Sequence, residues 1–317
     1  MQNNELKDST EDLIKWTELF NIFWLNKKFI VIFTSFAAML SVFYSLSLTN
    51  IYTAQTVMVP TSPEISSSLA SQYGNLASMA GINIPQGGLK NQTEVALNLI
   101  KSKKLIDRLM LYESFLPDLF AARKWDLQSN IVTYDEALYD SKNKKWIRKV
   151  SPPFKQTPSS QEALNRFLAL ISISQNRKTR LITLQVDHLS PVVAHQWSLW
   201  IVKETNAILA NSQIIKSKAS IEYLNRQIKI TPYSELKTMF YNLIQESTQS
   251  MMLASVNPEY VLSTIDPPVI PERKSKPKRS SVCILGTILG GMLSILIVLI
   301  RRYGFNKEDE LNIFRFQ

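Results

Sequence analysis

Asp266–Ile300 reads DPPVIPERKSKPKRSSVCILGTILGGMLSILIVLI, and its two halves obey different physics. The last nineteen residues, Val282–Ile300, carry no charge. As a helix they extend roughly 30 Å, the thickness of a bilayer hydrocarbon core. A buried core helix is excluded, because such helices rarely stay uncharged on every face for five turns. The first half holds prolines at 267, 268, 271 and 277 with basic residues between them. Prolines at that density predict an extended, polyproline-like approach to the bilayer, with the interleaved cations at the head groups. Gly286, Gly290 and Gly291 inside the span let a second helix backbone come close.

A partner for that helix lies near the other end of the chain. Phe29–Leu48, FIVIFTSFAAMLSVFYSLSL, is a second uncharged run of twenty residues. A cleaved signal peptide is the less favoured reading: 28 residues precede the run, it exceeds a signal core of about 7–15 residues, and no small-residue cleavage pattern closes it. Lys27 and Lys28 abut the first run, and Arg301 and Arg302 follow the second, which predicts two transmembrane helices with both termini cytoplasmic. The cluster Arg273, Lys274, Lys276, Lys278 and Arg279 lies on the opposite side of the second span. It does not reverse this reading, since a segment as long as 49–281 translocates largely regardless of charge. The expected organisation is a cytoplasmic leader over 1–28, spans at 29–48 and 282–300, a periplasmic domain over 49–281 and a cytoplasmic tail over 301–317. Within the leader, Asp12–Leu25 has apolar residues at helical spacing and reads as an interfacial lead-in or as an early start of the span.

Residues 50–281 hold 28 Lys and Arg against 18 Asp and Glu, so the exported segment carries the whole net charge of +10. Across a membrane such a surface reads either as one that meets anionic glycans or lipid head groups, or as a solvated basic surface with no ligand; nucleic acid is not expected there. The single cysteine, Cys283, excludes an intrachain disulfide. No phosphate loop, dinucleotide fingerprint or nucleophile elbow occurs. His188 and His195 lack the spacing of a helical metal pair, and Asp135–Glu136 reads as a solvated surface. The expectation is a protein without catalytic residues, cofactor or metal.

Four stretches of the exported segment read as strands: Tyr52–Val59, Phe167–Ser174, Leu181–Asp187 and Tyr260–Asp266, with Gln175–Arg180 a polar turn. The outer two are tied to the spans, which predicts a small membrane-proximal sheet. Pro60–Asn91 reads as loop with an apolar patch at Leu76–Ile84, Gln92–Met110 as helix, and Asp126–Pro158 as polar and irregular. Ser190–Pro191 is a helix start followed by about forty residues without proline or glycine. Thr231–Pro232 repeats that signal, so long helices are expected at 191–230 and 232–256, ended by Asn257–Pro258. A helix of that length predicts a protrusion or packing against copies of the same chain. Its stripe Val193, Trp197, Trp200/Ile201, Ile208 and Ile215 fits intrachain packing near the tryptophans and a subunit seam further out. The fold class is α+β: two transmembrane helices flanking a periplasmic α/β domain with a small sheet and a long protruding helix.

The proline-rich segment 266–278 and the glycines after it carry a resemblance. Pro268, Pro271, Pro277, Lys278, Gly286, Gly290 and Gly291 occupy the P-x-x-P-x4-S-P-K and G-x-x-x-G-G pattern, with Lys276 where the pattern has serine. In this the chain resembles the Wzz-type chain-length determinants of O-antigen synthesis, the polysaccharide co-polymerase family. Tyr52-Thr-Ala, Ser190-Pro191-x-x-Ala194, Ile221–Asn225, Glu235–Ile244 and Met252-Leu-Ala are similar to that family too. The resemblance implies a closed homo-oligomer in the bacterial inner membrane. Its role is to set the modal number of O-antigen repeats of lipopolysaccharide, without catalysis. The implied partners are the O-antigen polymerase, membrane lipids and an undecaprenyl-linked glycan. The alternative is a co-polymerase for capsule or exopolysaccharide working with a separate tyrosine kinase; Tyr303 is the only tyrosine after the second span. A periplasmic adaptor of transport is a third class, against which the second span argues.

Overall fold

The computed structural model describes residues 23–61 and 88–304. Most of the leader, including most of the expected lead-in Asp12–Leu25, lies outside those residues. So do the patch Leu76–Ile84 and the tail beyond Gly304. The helices are α1 Lys27–Ser47, α2 Gly88–Ile100, α3 Lys103–Leu109, α4 Phe115–Phe120, α5 Ser160–Leu170, α6 Pro191–Ile230, α7 Ser234–Val256 and α8 Arg279–Gly304. The strands are β1 Tyr52–Pro60, β2 Ala122–Trp125, β3 Val132–Tyr134, β4 Tyr139–Asp140, β5 Lys145–Trp146, β6 Ile171–Gln175, β7 Ile182–His188 and β8 Leu262–Asp266. They form two compact units, Ile51–Lys274 and the two chain ends.

The unit Ile51–Lys274 is built on an antiparallel sheet of order β6-β7-β1-β8. The first strand pairs with β7 from Tyr52↔His188 to Met58↔Ile182, and with the last strand through Met58↔Thr264, Val59↔Ser263 and Pro60↔Leu262. In β7, alternate residues Ile182, Leu184, Val186 and His188 are buried, and Ala54, Thr56 and Met58 do the same in β1. That period of two gives the sheet one buried face. The core it joins contains Ile100, Ile106, Leu109, Phe115, Phe167, Trp197 and Ile201. Trp197 is its centre, with Phe115 at 5.0 Å, His188 at 5.2 Å and Phe167 at 6.3 Å between ring centroids.

The long helix starts as its sequence requires. Ser190 Oγ accepts from the Val193 amide at 3.4 Å, and Pro191 sits at the first helical position, where its missing N–H is not needed. The forty residues of α6 extend about 60 Å. Along the stripe, Val193, Trp197, Ile201 and Ile208 are buried in the core while Ile215 is exposed. Packing against the sheet and its core therefore claims the first half of the helix, while in the second half Ser217 and Leu224 are buried and α7 packs alongside.

Four expectations are corrected. Phe167–Leu170 belongs to α5, not to a strand: Ser159 and Glu162 form a reciprocal capping box that starts the helix, and Ala163 and Phe167 point into the core one turn apart. The strand begins only at Ile171. Thr231 closes α6 rather than starting α7; it is extended, as residues before proline are, and its hydroxyl donates to Gln227 O at 2.7 Å. The second helix then starts at Ser234. Gln92–Met110 is two helices broken at Lys101–Ser102, and the first of them takes in Gly88–Asn91. Finally, Asp126–Pro158 is not irregular throughout: β3, which pairs with β2, and the β4–β5 pair lie within it, and it lacks helix and strand only beyond 146 as a continuous stretch. Asn143 Nδ2 donates to Asp140 in one turn, and Trp125 Nε1 donates to Asn130 next to the other.

The chain ends form a helical pair of a different kind. Helices α1 and α8 expose Phe36, Met39, Phe43, Ile284, Leu285 and Met292 by half or more. Both are long and apolar enough to cross a membrane, and very little of either is buried. A core helix would bury these side chains; their exposure is what a bilayer-spanning helix requires.

Candidate functional site

The seam between α1 and α8 is built from small residues. On α8 the buried positions Gly290, Ser294 and Val298 recur every four residues, continuing the row from Gly286. Thr34, Ala37 and Ser41 face them from α1. A Cβ on Gly286 would stand 2.6 Å from Ser41 Cβ, and a Cβ on Gly290 would collide with Ala37 Cβ. A Cβ on Gly291 meets nothing closer than Thr34 Oγ1 at 3.8 Å, ordinary contact. Close approach lets Ser41 Oγ donate to the Val282 carbonyl at 3.0 Å. Contacts run down α1 as they run up α8, so the pair is antiparallel. Arg279 hydrogen-bonds Asn50 at 3.2 Å at one end; Lys27, Lys28 and Arg301 mark the other.

The remaining motif residues divide between the units. Pro268 is buried and Pro271 half-buried in the unit Ile51–Lys274, while Pro277 and the exposed Lys278 precede α8. Residues 267–278 adopt no repetitive helix or strand, and the Lys276–Pro277 peptide bond is cis. Cys283, a free thiol, lies in the first turns of α8.

Three buried polar networks in the larger unit were not signalled by any sequence motif. In the first, Tyr134 donates to Asp118 Oδ1 at 2.7 Å, and burial raises the Asp118 carboxyl to about 6. The same burial, with Asp118 beside it, pushes the Tyr134 phenol above its ordinary range. His188 Nδ1 accepts from the Ser190 amide at 3.0 Å, so its proton sits on Nε2 and is donated to the Asp118 carbonyl at 3.1 Å. Burial holds His188 below the usual imidazole range, so it is a neutral structural histidine and not a ligand paired with His195. In the second, Glu204 on α6 receives Arg108 Nε at 2.9 Å and Tyr112 OH at 2.8 Å, and Tyr112 stacks on Trp200 at 4.1 Å. Desolvation, then Glu204, raises the Tyr112 phenol to about 12. In the third, Asn206 accepts from the Val261 and Leu262 amides at 3.0 and 2.9 Å and donates to Leu262 O at 2.9 Å, holding the start of β8 to the long helix. Arg148 similarly pins the 155–156 carbonyls and Glu162. Each network fixes one element against another. Asp135 turns its carboxylate to the Ala137 amide and Glu136 is exposed, so that pair is the surface its sequence suggested.

The chain thus combines an antiparallel pair of apolar helices with a glycine seam, both long enough to cross a membrane, and a mixed helix-and-sheet unit in the sequence between them. Residues 12–111 match the family model of the chain length determinant protein, and residues 233–303 match that of the G-rich domain on putative tyrosine kinase. The first match places residues 12–111 in the chain length determinant (Wzz) family. All seven motif positions fall within the second match. No curated protein sequence matches. Among solved structures, a full-length bacterial polysaccharide co-polymerase overlaps with TM-score 0.35 at 16% identity, over 93% of this chain and 99% of that one. A fragment of WzzB, the polysaccharide co-polymerase from Salmonella Typhimurium, gives 0.28 at 15%, over 72% and 100%.

Proposed function

We propose that the chain is a non-enzymatic regulator of lipopolysaccharide O-antigen chain length, acting as a homo-oligomer in the bacterial inner membrane with the O-antigen polymerase. The observation that carries this reading is the match to the chain length determinant, joined to a glycine-seamed pair of apolar helices. In this reading α1 and α8 are the two spans, the basic ends at Lys27, Lys28 and Arg301 face the cytoplasm, and the unit between them is periplasmic. Pro268, Pro271, Pro277 and Lys278 set the path of the chain into the second span, and Gly286, Gly290 and Gly291 its packing. The exposed residues of the second half of α6, among them Ile215, Tyr223 and Ile230, offer a surface to neighbouring copies. Growing glycan held against the oligomer near the polymerase would be extended to a preferred length.

A second reading, co-polymerase for capsule or exopolysaccharide with a separate kinase, is favoured by one observation. The matched model of residues 233–303 is named for a domain found on putative tyrosine kinases. Deleting the gene and restoring it from a plasmid separates the two on a silver-stained lipopolysaccharide gel. Loss and rescue of a modal cluster of bands is the expected result. An unaltered ladder refutes the first reading and moves the question to the capsule polymer.

A further inference from the structure

We infer that the groove between α3 and α6 binds a carboxylated saccharide. The groove is open on one side and offers about 740 Å³. That is in the range of small-ligand sites and far larger than a single inorganic anion requires. Lys104 and Arg108, one turn apart on α3, line one wall, and Lys216 on α6 lines the other. Asp107 is the single acid on the lining, and Lys103 already neutralises it at 2.7 Å, which holds its carboxyl below the usual range. Arg108 gives its Nε–H to Glu204, while its terminal nitrogens take no hydrogen bond among the described residues. Lys104 and Lys216 form no ion pair among the described residues.

The groove therefore presents uncompensated positive charge over a partly apolar floor. Ile208 is buried beneath it and Ile215 is exposed beside it. Asn211 and Ser212, on the same face of α6, offer amide and hydroxyl groups at the spacing of one helix turn from Ile208 and Ile215. Cations for carboxylates, neutral donors and acceptors for hydroxyls and an apolar floor for C–H faces are the complement of an acidic sugar chain. A neutral glycan would leave the lysines unmatched. An isolated phosphate would leave most of the groove empty. The inference rests on the chain-length reading only for the origin of the ligand in the growing polymer.

The test uses the full-length protein in lipid nanodiscs and fluorescently labelled tetragalacturonic acid as probe. The acid is expected to bind, more weakly as salt is raised, and maltotetraose is expected not to compete. Lys104→Ala with Lys216→Ala is expected to weaken binding by about tenfold or more, since two close charges are lost. Lys218→Ala, a lysine of α6 outside the groove, is expected to leave it unchanged. Carbodiimide coupling of the bound acid to the wild-type protein is expected to place the adduct on Lys104 or Lys216, which needs no variant to fold. Absence of binding, displacement by equimolar inorganic phosphate, competition by maltotetraose, an unaffected double variant or adducts confined to Lys218 overturns the proposal. Galacturonate binding with an unaltered ladder on gene deletion removes the chain-length reading and leaves the groove; the reverse removes the groove alone.

Discussion

Alanine at Gly290 and alanine at Gly291 are neighbouring changes of identical chemistry, and the structure separates them. Both exchange glycine for the best helix former, a gain of up to about 1 kcal/mol that is common to the two. At Gly290 the new methyl overlaps the methyl of Ala37; at Gly291 it finds Thr34 at 3.8 Å, where it fits. Carbon atoms rest about 3.5–4.0 Å apart, so Gly290→Ala forces the helices to separate by an ångström or more. Overpacking of that kind costs roughly 1–3 kcal/mol, and separation also lengthens the Ser41–Val282 hydrogen bond, 3.0 Å in the native pair. The difference between the two variants isolates this steric term, because helix propensity cancels. The assay is an SDS titration of the full chain in mixed micelles, followed by loss of helicity. Gly290→Ala is expected to unfold the pair at lower SDS than Gly291→Ala, by the equivalent of about 1–3 kcal/mol. Combining Gly290→Ala with Ala37→Gly makes room for the methyl again and restores the midpoint. Equal effects of the two alanines, or no rescue by Ala37→Gly, refutes the seam.

Asp118 predicts a pH dependence in the larger unit. Burial raises its folded pKa to about 6, above the ordinary 3.8, so its contribution is fully present below pH 3.8 and is lost as pH rises through 6. Asp118→Asn removes that alkaline loss, about 3 kcal/mol at full ionisation, so the urea midpoint at pH 8 rises relative to that at pH 5 in the variant. His188 works in the opposite sense: its lowered pKa contributes stability above 6.5 that is lost as pH falls below it, so the acid decline survives in Asp118→Asn. A midpoint gap unchanged by the substitution refutes the assignment. Asn206→Ala strands the Val261 and Leu262 amides and the Leu262 carbonyl, and is expected to destabilise the unit by about 2–5 kcal/mol in urea titrations. A loss below about 1 kcal/mol would show that the start of β8 is held by other means.

What could be read from the sequence is what depends on one stretch at a time. Two uncharged runs, a Ser190–Pro191 start and the alternation of Ile182, Leu184 and Val186 each declare their own structure, and each is found. Phe167–Leu170 misled because FLALISIS alternates through a helix end into a strand, and tertiary packing of Phe167 on Phe115 decides the boundary. The Ser159–Glu162 capping box was a visible signal for that helix. Short hairpins such as β4–β5 are too brief to show a period. The networks were invisible for another reason: Asp118 and His188 are 70 residues apart, and Glu204 lies 96 residues from Arg108. Likewise the glycine motif names three positions, but the tight two are distinguished only by what α1 places opposite them.

The two units share one topological rule: their first and last elements pair. In the chain-end unit α1 packs antiparallel on α8, and in the larger unit β1 lies antiparallel beside β8. Chain entering and leaving the larger unit is therefore fixed at adjacent strands, with Thr61 N donating to Val261 O at 2.8 Å just past the end of β1. Everything between β1 and β8 is in effect one long insertion between paired ends. Asn206 ties that insertion back to its exit strand, because it reaches from the buried part of α6 to the first residues of β8. The second half of α6, packed along α7, is the far part of the same helix. Prolines 267, 268, 271 and 277 restrict the backbone of the segment that directly follows β8, where the residues form no continuous helix or strand.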